Sequence, residues 1–432
     1  MKICSLYGAG FYYIPGTDTC IKVGGWVRMQ MGNNYGGDMS HGTMVANANN
    51  RNTNDFVTRN RGYITADARS QTEYGTLRSY IAVGISADNE AASGNTSGGS
   101  AGSNAGGFSA NRAFISFAGF TAGRAQSFYD FTDNAALSYN GASIWNTAAT
   151  TGDAGAQVLA YTAQLGGGLS ATVAVEKARN NGVLKLTTGM SVATALLAAQ
   201  PTAAASDVVG SKYPDIVGNL RIDQAWGSAQ VMGALHNASA GYYTLNTPSS
   251  GHPGDKMGYA VSVGVKINLP MLGNGDYIDI QGGYALGASG YLASSKSYGV
   301  VHGGDGGFGL MSDGVFGATG DVQLTKTAAI FGGYQHNWNP KVKTSVYGGY
   351  LKTTYNDAAN TLAGNSANMT WSDWQLGTRT AWAPVSNLEV GLDVMYSRLN
   401  TMDIGTTATA VATNHDQSAW TTHLRIQRNF YP

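Results

Sequence analysis

Proline is scarce in this chain, 9 residues in 432, and cysteine is nearly absent, with 2. Charged side chains make up only 12%, about half the usual fraction of a soluble domain. No run approaches the roughly 18 consecutive apolar residues that a membrane helix requires. A chain of this kind that spans a bilayer therefore does so with strands. Neither sign of charge is in excess: 26 basic residues balance 26 acidic ones, which removes any global case for nucleic acid or another polyanion as partner. An internal repeat of fixed period is missing too, which argues against a β-solenoid or repetitive adhesin. What is abundant is glycine, 60 residues, about twice its usual share, and tyrosine, which outnumbers phenylalanine 24 to 12. Such a composition disfavours helices and suits twisted strands, tight turns and aromatic girdles.

The stretch "GYAVSVGVKINLPMLGNGDYIDIQGGYALG" from Gly258 to Gly287 shows the pattern that fills most of the chain. Tyr259, Val261, Val263, Val265, Ile267 and Leu269 alternate with Ala260, Ser262, Gly264, Lys266 and Asn268, the period of two that marks a strand. The second arm repeats it, with Ile278, Ile280, Gly282, Tyr284 and Leu286 against Tyr277, Asp279, Gln281, Gly283 and Ala285. In "NLEVGLDVMYSRL" the polar set includes Glu389 and Asp393. A dry sandwich core could not bury those carboxylates without partners, whereas a water-filled lumen accepts them. The apolar sets then face lipid.

Marking every alternating segment predicts about 16 strands, near residues 20–31, 56–70, 74–87, 108–118, 123–131, 156–166, 169–178, 215–226, 228–238, 256–269, 276–288, 325–336, 341–354, 369–382, 387–400 and 417–430. Their connections alternate strictly between short turns and long segments rich in Gly, Ser, Ala, Thr and Asn, which read as solvated loops. Short turns at one end and long loops at the other predict an all-β fold: a transmembrane antiparallel up-and-down barrel with periplasmic turns and extracellular loops. No domain boundary interrupts residues 1–432. Cys4 and Cys20, an even pair with no other cysteine, are expected to form an oxidised staple closing residues 1–20 in an exported protein. The alternatives are two unrelated thiols, or two metal ligands without a third. No charged and apolar leader precedes Cys4, so the chain reads as a mature form.

Catalytic motifs occur only out of context. Gly98 to Gly102 match G-x-S-x-G inside a Gly/Ser run, and Gly304, Gly306 and Gly309 match G-x-G-x-x-G inside a loop. The seven histidines show no metal spacing. Asp305 and Asp313 suit Ca²⁺ by type, but a solvated glycine loop is the simpler reading. No catalytic residue, metal or cofactor is therefore expected.

The constellation that carries weight is basic. Strand parity points Arg28, Arg59, Arg61, Arg69, Arg78, Arg112 and Arg425 into the lumen, and neighbouring first and last strands would join them into one patch of wall. They either solvate a polar interior or face acidic residues across a constriction, where their field sorts solutes by charge. Asp130, Asp133 and Asp153, in or beside the long segment after the fifth strand, are the acidic candidates. Inward parity of Tyr63, Tyr80 and Trp371 raises a second possibility, an aromatic track for oligosaccharides; an outer-membrane adhesin or hydrolase is less well supported.

"CSLYGAGFYYIPGTDTCIKVGGWVR" at the start, "RAFISFAGFTAGRAQSFYDF" in the middle and "HLRIQRNF" at the end resemble the alphaproteobacterial general porin family of rhizobial and Brucella outer membranes. The resemblance covers the whole chain. It implies a homotrimer of sixteen-stranded barrels in a Gram-negative outer membrane, surrounded by lipid and lipopolysaccharide, through which ions and small hydrophilic solutes diffuse passively. It also implies that the third long loop, about residues 132–155, folds inward so that its carboxylates oppose wall arginines. One departure is the end: Phe430 is the natural terminal aromatic read in assembly, yet Tyr431 and Pro432 follow it.

Overall fold

A computed structural model describes residues 3–33, 56–88, 107–131, 137–139, 155–186, 212–244, 247–293, 297–302, 305–363, 368–403 and 413–430. Sixteen long strands pair antiparallel with their chain neighbours, and the last pairs back onto the first, Trp26 opposite Asn429 and Gly32 opposite His423. In chain order they are β1 (Cys20–Asn33), β2 (Phe56–Thr72), β3 (Gly75–Asp88), β4 (Gly107–Phe117), β5 (Phe120–Ala125), β6 (Ala156–Gly166), β7 (Leu169–Glu176) and β8 (Asp215–Gln224), then β9 (Gly227–Ala238), β10 (Lys256–Asn268), β11 (Tyr277–Leu286), β12 (Lys326–Asn339), β13 (Val342–Thr354), β14 (Trp371–Trp382), β15 (Leu388–Asn400) and β16 (Gln417–Asn429). Closure leaves the long strands no open edge. The ladder slips between β3 and β4, where Ala82 faces Arg112 and Val83 faces Ala110. Asn111 is the extra residue of that bulge, a device that re-aims side chains.

The outward face is the apolar one. Val27, Ile64, Ile81, Val173, Val231, Val263, Ile330, Val346 and Leu376 are all exposed, whereas their strand neighbours Tyr63, Ala82, Ala174, Met232, Ser262, Phe331, Ser345 and Gln375 are buried inside. Exposed aromatics gather at both strand ends: Tyr74, Trp226, Trp338, Trp382 and Phe430 beside the short turns, and Phe108, Tyr213, Tyr259, Trp374 and Trp420 beside the long loops. Two aromatic girdles around an apolar band are the signature of a barrel immersed in a bilayer.

The predicted strands coincide with the observed ones within a few residues, apart from the fifth. That strand was expected over 123–131 but spans Phe120–Ala125, because the chain turns inward after Ala125. The long loops depart further from expectation, since much of their described length fills the barrel. Leu184, Leu186, Leu310, Met311, Val315, Tyr355, Met369 and Met402 pack against the inner faces of β11–β15 in one apolar cluster. Tyr129, Tyr291 and Leu292 cover the inner faces of β6–β11 in another. Small residues separated the apolar ones in those loops and hid them from any periodic reading. Within the third-from-last long loop, Ser297–His302 pairs with Asp305–Leu310 and Gly314–Phe316 with Gln323–Leu324, and Gly314–Phe316 also pairs with Val183–Lys185 of the loop after β7.

Candidate functional site in the barrel lumen

Among the described residues, the inner faces of β16 and β1–β4 carry polar and basic side chains where β6–β15 carry the apolar filling. Register sets the arrangement: Arg28 lies opposite Arg61 on β2 and Gln427 on β16, and Gln30 lies opposite Arg59 and Arg425. Arg28 Nε donates to Gln427 Oε1 at 2.7 Å, and its guanidinium sits 4.3 Å over the Trp26 ring. Trp26 stacks in turn on Tyr63 at 4.7 Å. The two registers set Arg28, Arg59, Arg61 and Arg425 side by side on β16, β1 and β2, next to the buried ring of His423, whose Nε2 lies 3.2 Å from Gln30 Nε2. Four positive charges converge on one region of wall.

The expected single patch divides here. Arg78 pairs instead with Asp67, alongside Arg69, near the periplasmic end of β2. Arg69 is eight positions along β2 from Arg61, roughly 26 Å of strand and about 20 Å of height at the usual tilt. Arg112 stands apart again on β4, its Nη1 donating to Asn111 O at 2.9 Å.

Residues 126–131 and 137–139 of the third long loop lie inside the barrel. The Phe128 amide donates to Glu176 Oε1 at 2.9 Å, Asn219 Nδ2 donates to Phe128 O at 2.6 Å, and Tyr129 Oη meets Ser262 Oγ at 2.6 Å. Farther along, Ser138 Oγ donates to Asp393 Oδ2 at 2.9 Å and Ser345 Oγ donates to Leu137 O at 2.5 Å. Tyr139 Oη donates to Glu389 Oε1 at 2.6 Å, while its ring lies between Arg425 at 4.2 Å and Arg379 at 5.0 Å. Glu389 and Asp393 have the inward parity that alternation predicts. They are nevertheless loop anchors, and Asp393 is wholly buried where open water was expected.

Asp130 does not face the basic wall. It is buried in an ion pair with Arg179 at 2.8 Å, and the Arg179 guanidinium lies 4.9 Å from the Tyr291 ring. Burial opposes the Arg179 charge, but Asp130 holds its pKa above the ordinary arginine value. Asp133 and Asp153 lie outside the described residues.

Asp313 also differs from the solvated-loop reading. It is fully buried, accepting from the Asn181 and Gly182 amides at 2.8 and 3.0 Å and from Ser289 Oγ at 2.9 Å. The cluster of three or more acidic, His or Cys side chains that a metal would need does not form among the described residues. Gly309, from the apparent G-x-G-x-x-G, has a packing role: a Cβ there would lie 2.5 Å from the Trp371 ring. Trp371 is 2% exposed and donates Nε1 to Leu310 O at 2.7 Å, which removes it from any lumen track. Tyr63 bonds Ser109 Oγ and Asn111 Oδ1, and Tyr80 packs on Phe114. Cys4 and Cys20 are disulfide-bonded, and Phe430 projects outward as parity predicts, its amide donating to Gly25 O at 2.9 Å.

Tyr139, Arg179 and the pair Asp215 and His236, 2.8 Å apart, are the main residues that sequence reasoning passed over. The only available signal for Tyr139 lay across the barrel, in an inward glycine, Gly391, flanked by inward Glu389 and Asp393.

In comparisons with known proteins, the chain matches the porin subfamily over residues 1–423. It is 29% identical over 234 residues to porin Omp2b of Brucella suis, covering 53% of this chain and 55% of that protein. The chain spans about a third to a half of the length of the curated relatives that it matches first. Its fold is similar to the outer membrane channel DcaP of Acinetobacter baumannii, with a TM-score of 0.64 at 14% identity over 97% of this chain and 99% of that one. It is also similar to OmpT of Vibrio cholerae in its trimer form, with a TM-score of 0.51 at 8% identity over 96% and 100%. Both are likenesses of fold alone. The subfamily match, running through all but the last few residues of a barrel with the strand number expected of a porin, establishes that the chain belongs to the porin subfamily.

Proposed function

We propose that this outer-membrane protein is a passive, water-filled diffusion channel for ions and small hydrophilic solutes, without a catalytic step or cofactor. The route follows the inner faces of β16 and β1–β4, past Arg28, Arg59, Arg61 and Arg425. The observation that carries this reading is the register that sets them side by side on β16, β1 and β2 while the inward loop, through Tyr139, meets the same wall at Arg425. Guanidinium groups on a wetted wall raise the local concentration of anions and order the water between them. Carboxylates of the inward loop, with Asp133 and Asp153 as candidates, form the opposing side in this reading. The working unit is a homotrimer, as in the trimer form of the Vibrio cholerae protein, with lipid and lipopolysaccharide around it.

Conductance of the purified protein in a planar bilayer tests the proposal, with a salt gradient to read reversal potential. Stepwise ohmic channels closing in thirds at high voltage are expected. Protein that is folded and inserted yet never conducts would overturn it. Removing a unit charge about 6 Å from a permeating ion in water changes its energy by ~0.7 kcal/mol, on the order of threefold in occupancy. The double variant Arg28→Gln/Arg61→Gln should therefore shift the reversal potential toward cation preference by several fold in permeability ratio. An unchanged ratio would mean that the wall is only solvated.

A further inference from the structure

The disulfide-closed segment does more than close the N-terminus. Tyr12 and Tyr13 pair with Ile21 and Cys20, alongside the part of β1 that precedes its ladder with β16. The residues before them turn over the inner rim of the barrel. Lys22 Nζ donates to Ala9 O at 3.2 Å, and Phe11 is 4% exposed. The rings of Phe11 and Tyr7 lie 4.9 and 5.7 Å from the Arg69 guanidinium. By parity, Lys22 and Arg69 belong to the lumen face, so the segment lies against that face at the end carrying the short turns.

Beneath it, Asp67 accepts two hydrogen bonds from each of two arginines. Arg69 donates through Nε and Nη2 at 3.0 and 2.7 Å, and Arg78 through the same atoms at 3.0 and 3.0 Å. Arg78 is held from its other side by Tyr80 and Phe114, 5.1 and 5.4 Å from its guanidinium. Two cations on one carboxylate leave one positive charge in excess. The Asp67 side chain is only 12% exposed, whereas those of Arg69 and Arg78 are 28% and 32% exposed. The carboxylate is thus spent on orienting the arginines, whose side chains keep the larger share of exposure.

We infer that the periplasmic mouth carries a second charge filter, in which Arg69 and Arg78, oriented by Asp67 and roofed by the disulfide-closed segment, recruit small oxyanions such as carboxylates and phosphate. This rests on the channel reading. Planar guanidinium groups in a fixed relative orientation match the two-oxygen edge of such anions, which a point charge does not. The filter lies about 20 Å in height from the Arg28 group at the usual strand tilt, far enough for the two to be separated by experiment, because charges beyond a Debye length of about 8 Å in 0.15 M salt scarcely interact.

The test is single-channel recording in KCl with directionally inserted protein, adding inorganic phosphate to one chamber at a time. Phosphate on the side of the short turns should reduce chloride current at a concentration at least fivefold lower than phosphate on the opposite side. Arg69→Gln/Arg78→Gln should abolish that difference while unitary steps persist. Arg69→Lys/Arg78→Lys should weaken it despite unchanged charge, and Asp67→Asn should raise anion preference. Phe11→Ala and Cys4→Ser/Cys20→Ser, which loosen the roof, should weaken the sidedness without abolishing it. Conducting channels that phosphate blocks equally from both sides, unaffected in Arg69→Gln/Arg78→Gln, would overturn the filter and leave the diffusion reading standing. Folded, inserted protein with no conductance would overturn both.

Discussion

At Gly391 the place of a side chain is already occupied. A Cβ built there would lie 2.1 Å from Tyr139 Oη, so the glycine on β15 is what lets the loop tyrosine reach Glu389. Gly391→Ala should expel Tyr139 and cost about 1–3 kcal/mol, the usual range for overpacking a filled site. Tyr139→Phe keeps the ring between Arg379 and Arg425 but loses a bond to a charged acceptor, at about 1.5–3 kcal/mol. Unfolding in detergent measures both costs, and open-channel current noise reports the loosened loop. Both variants should be less stable by amounts of this order and noisier than the parent. A quiet, wild-type-like channel in Gly391→Ala would show that Tyr139 does not hold the loop. None of this was legible from the sequence around Tyr139, because its partners are more than 200 positions away in the chain.

Strand positions were legible element by element because each strand has one dry and one wetted face, and that contrast writes a period of two into the residues. The fifth strand shows where the rule stops. Phe128 to Phe131 continue an alternating look, but the chain has already left the sheet, and these residues pack on the inner wall of β7–β10. Inside the lumen every side of a segment meets protein, so alternation loses its meaning. The Asp130 and Arg179 pair joins this segment to the next long loop. Breaking a buried pair from one side costs about 3–5 kcal/mol, since the remaining charge is stranded. Asp130→Asn should therefore destabilise the fold by that order and make the loop after β7 open to limited proteolysis. Asp130→Asn/Arg179→Met, with both charges gone, should recover most of the loss. If the double variant proves no more stable than the single one, the pair is not what fastens the two loops.

For the whole molecule, the informative comparison is between adjacent residues on opposite faces. The basic wall was legible in kind, because parity alone sends Arg28, Arg59, Arg61 and Arg425 inward. Its division was not, because which arginine finds a carboxylate depends on rotamers and on Asp67, a residue that parity treats like any other. The filling of β6–β15 by loop residues was illegible for a different reason: an apolar loop side chain has no period to announce which wall it will meet. Ile64 and Thr65 sit at the middle of β2, Ile64 exposed outward and Thr65 half-buried inward. An arginine facing lipid near the bilayer midplane costs ~2–4 kcal/mol in a barrel of this kind, whereas one in a wetted lumen keeps its hydration. Ile64→Arg should therefore lose that amount of stability in refolding titrations and assemble poorly into a heat-modifiable oligomer. Thr65→Arg should refold like the parent and move the reversal potential toward anions. Equal losses in the two variants would mean that both faces of β2 are packed against protein, and the open passage would then have to be sought along another part of the wall.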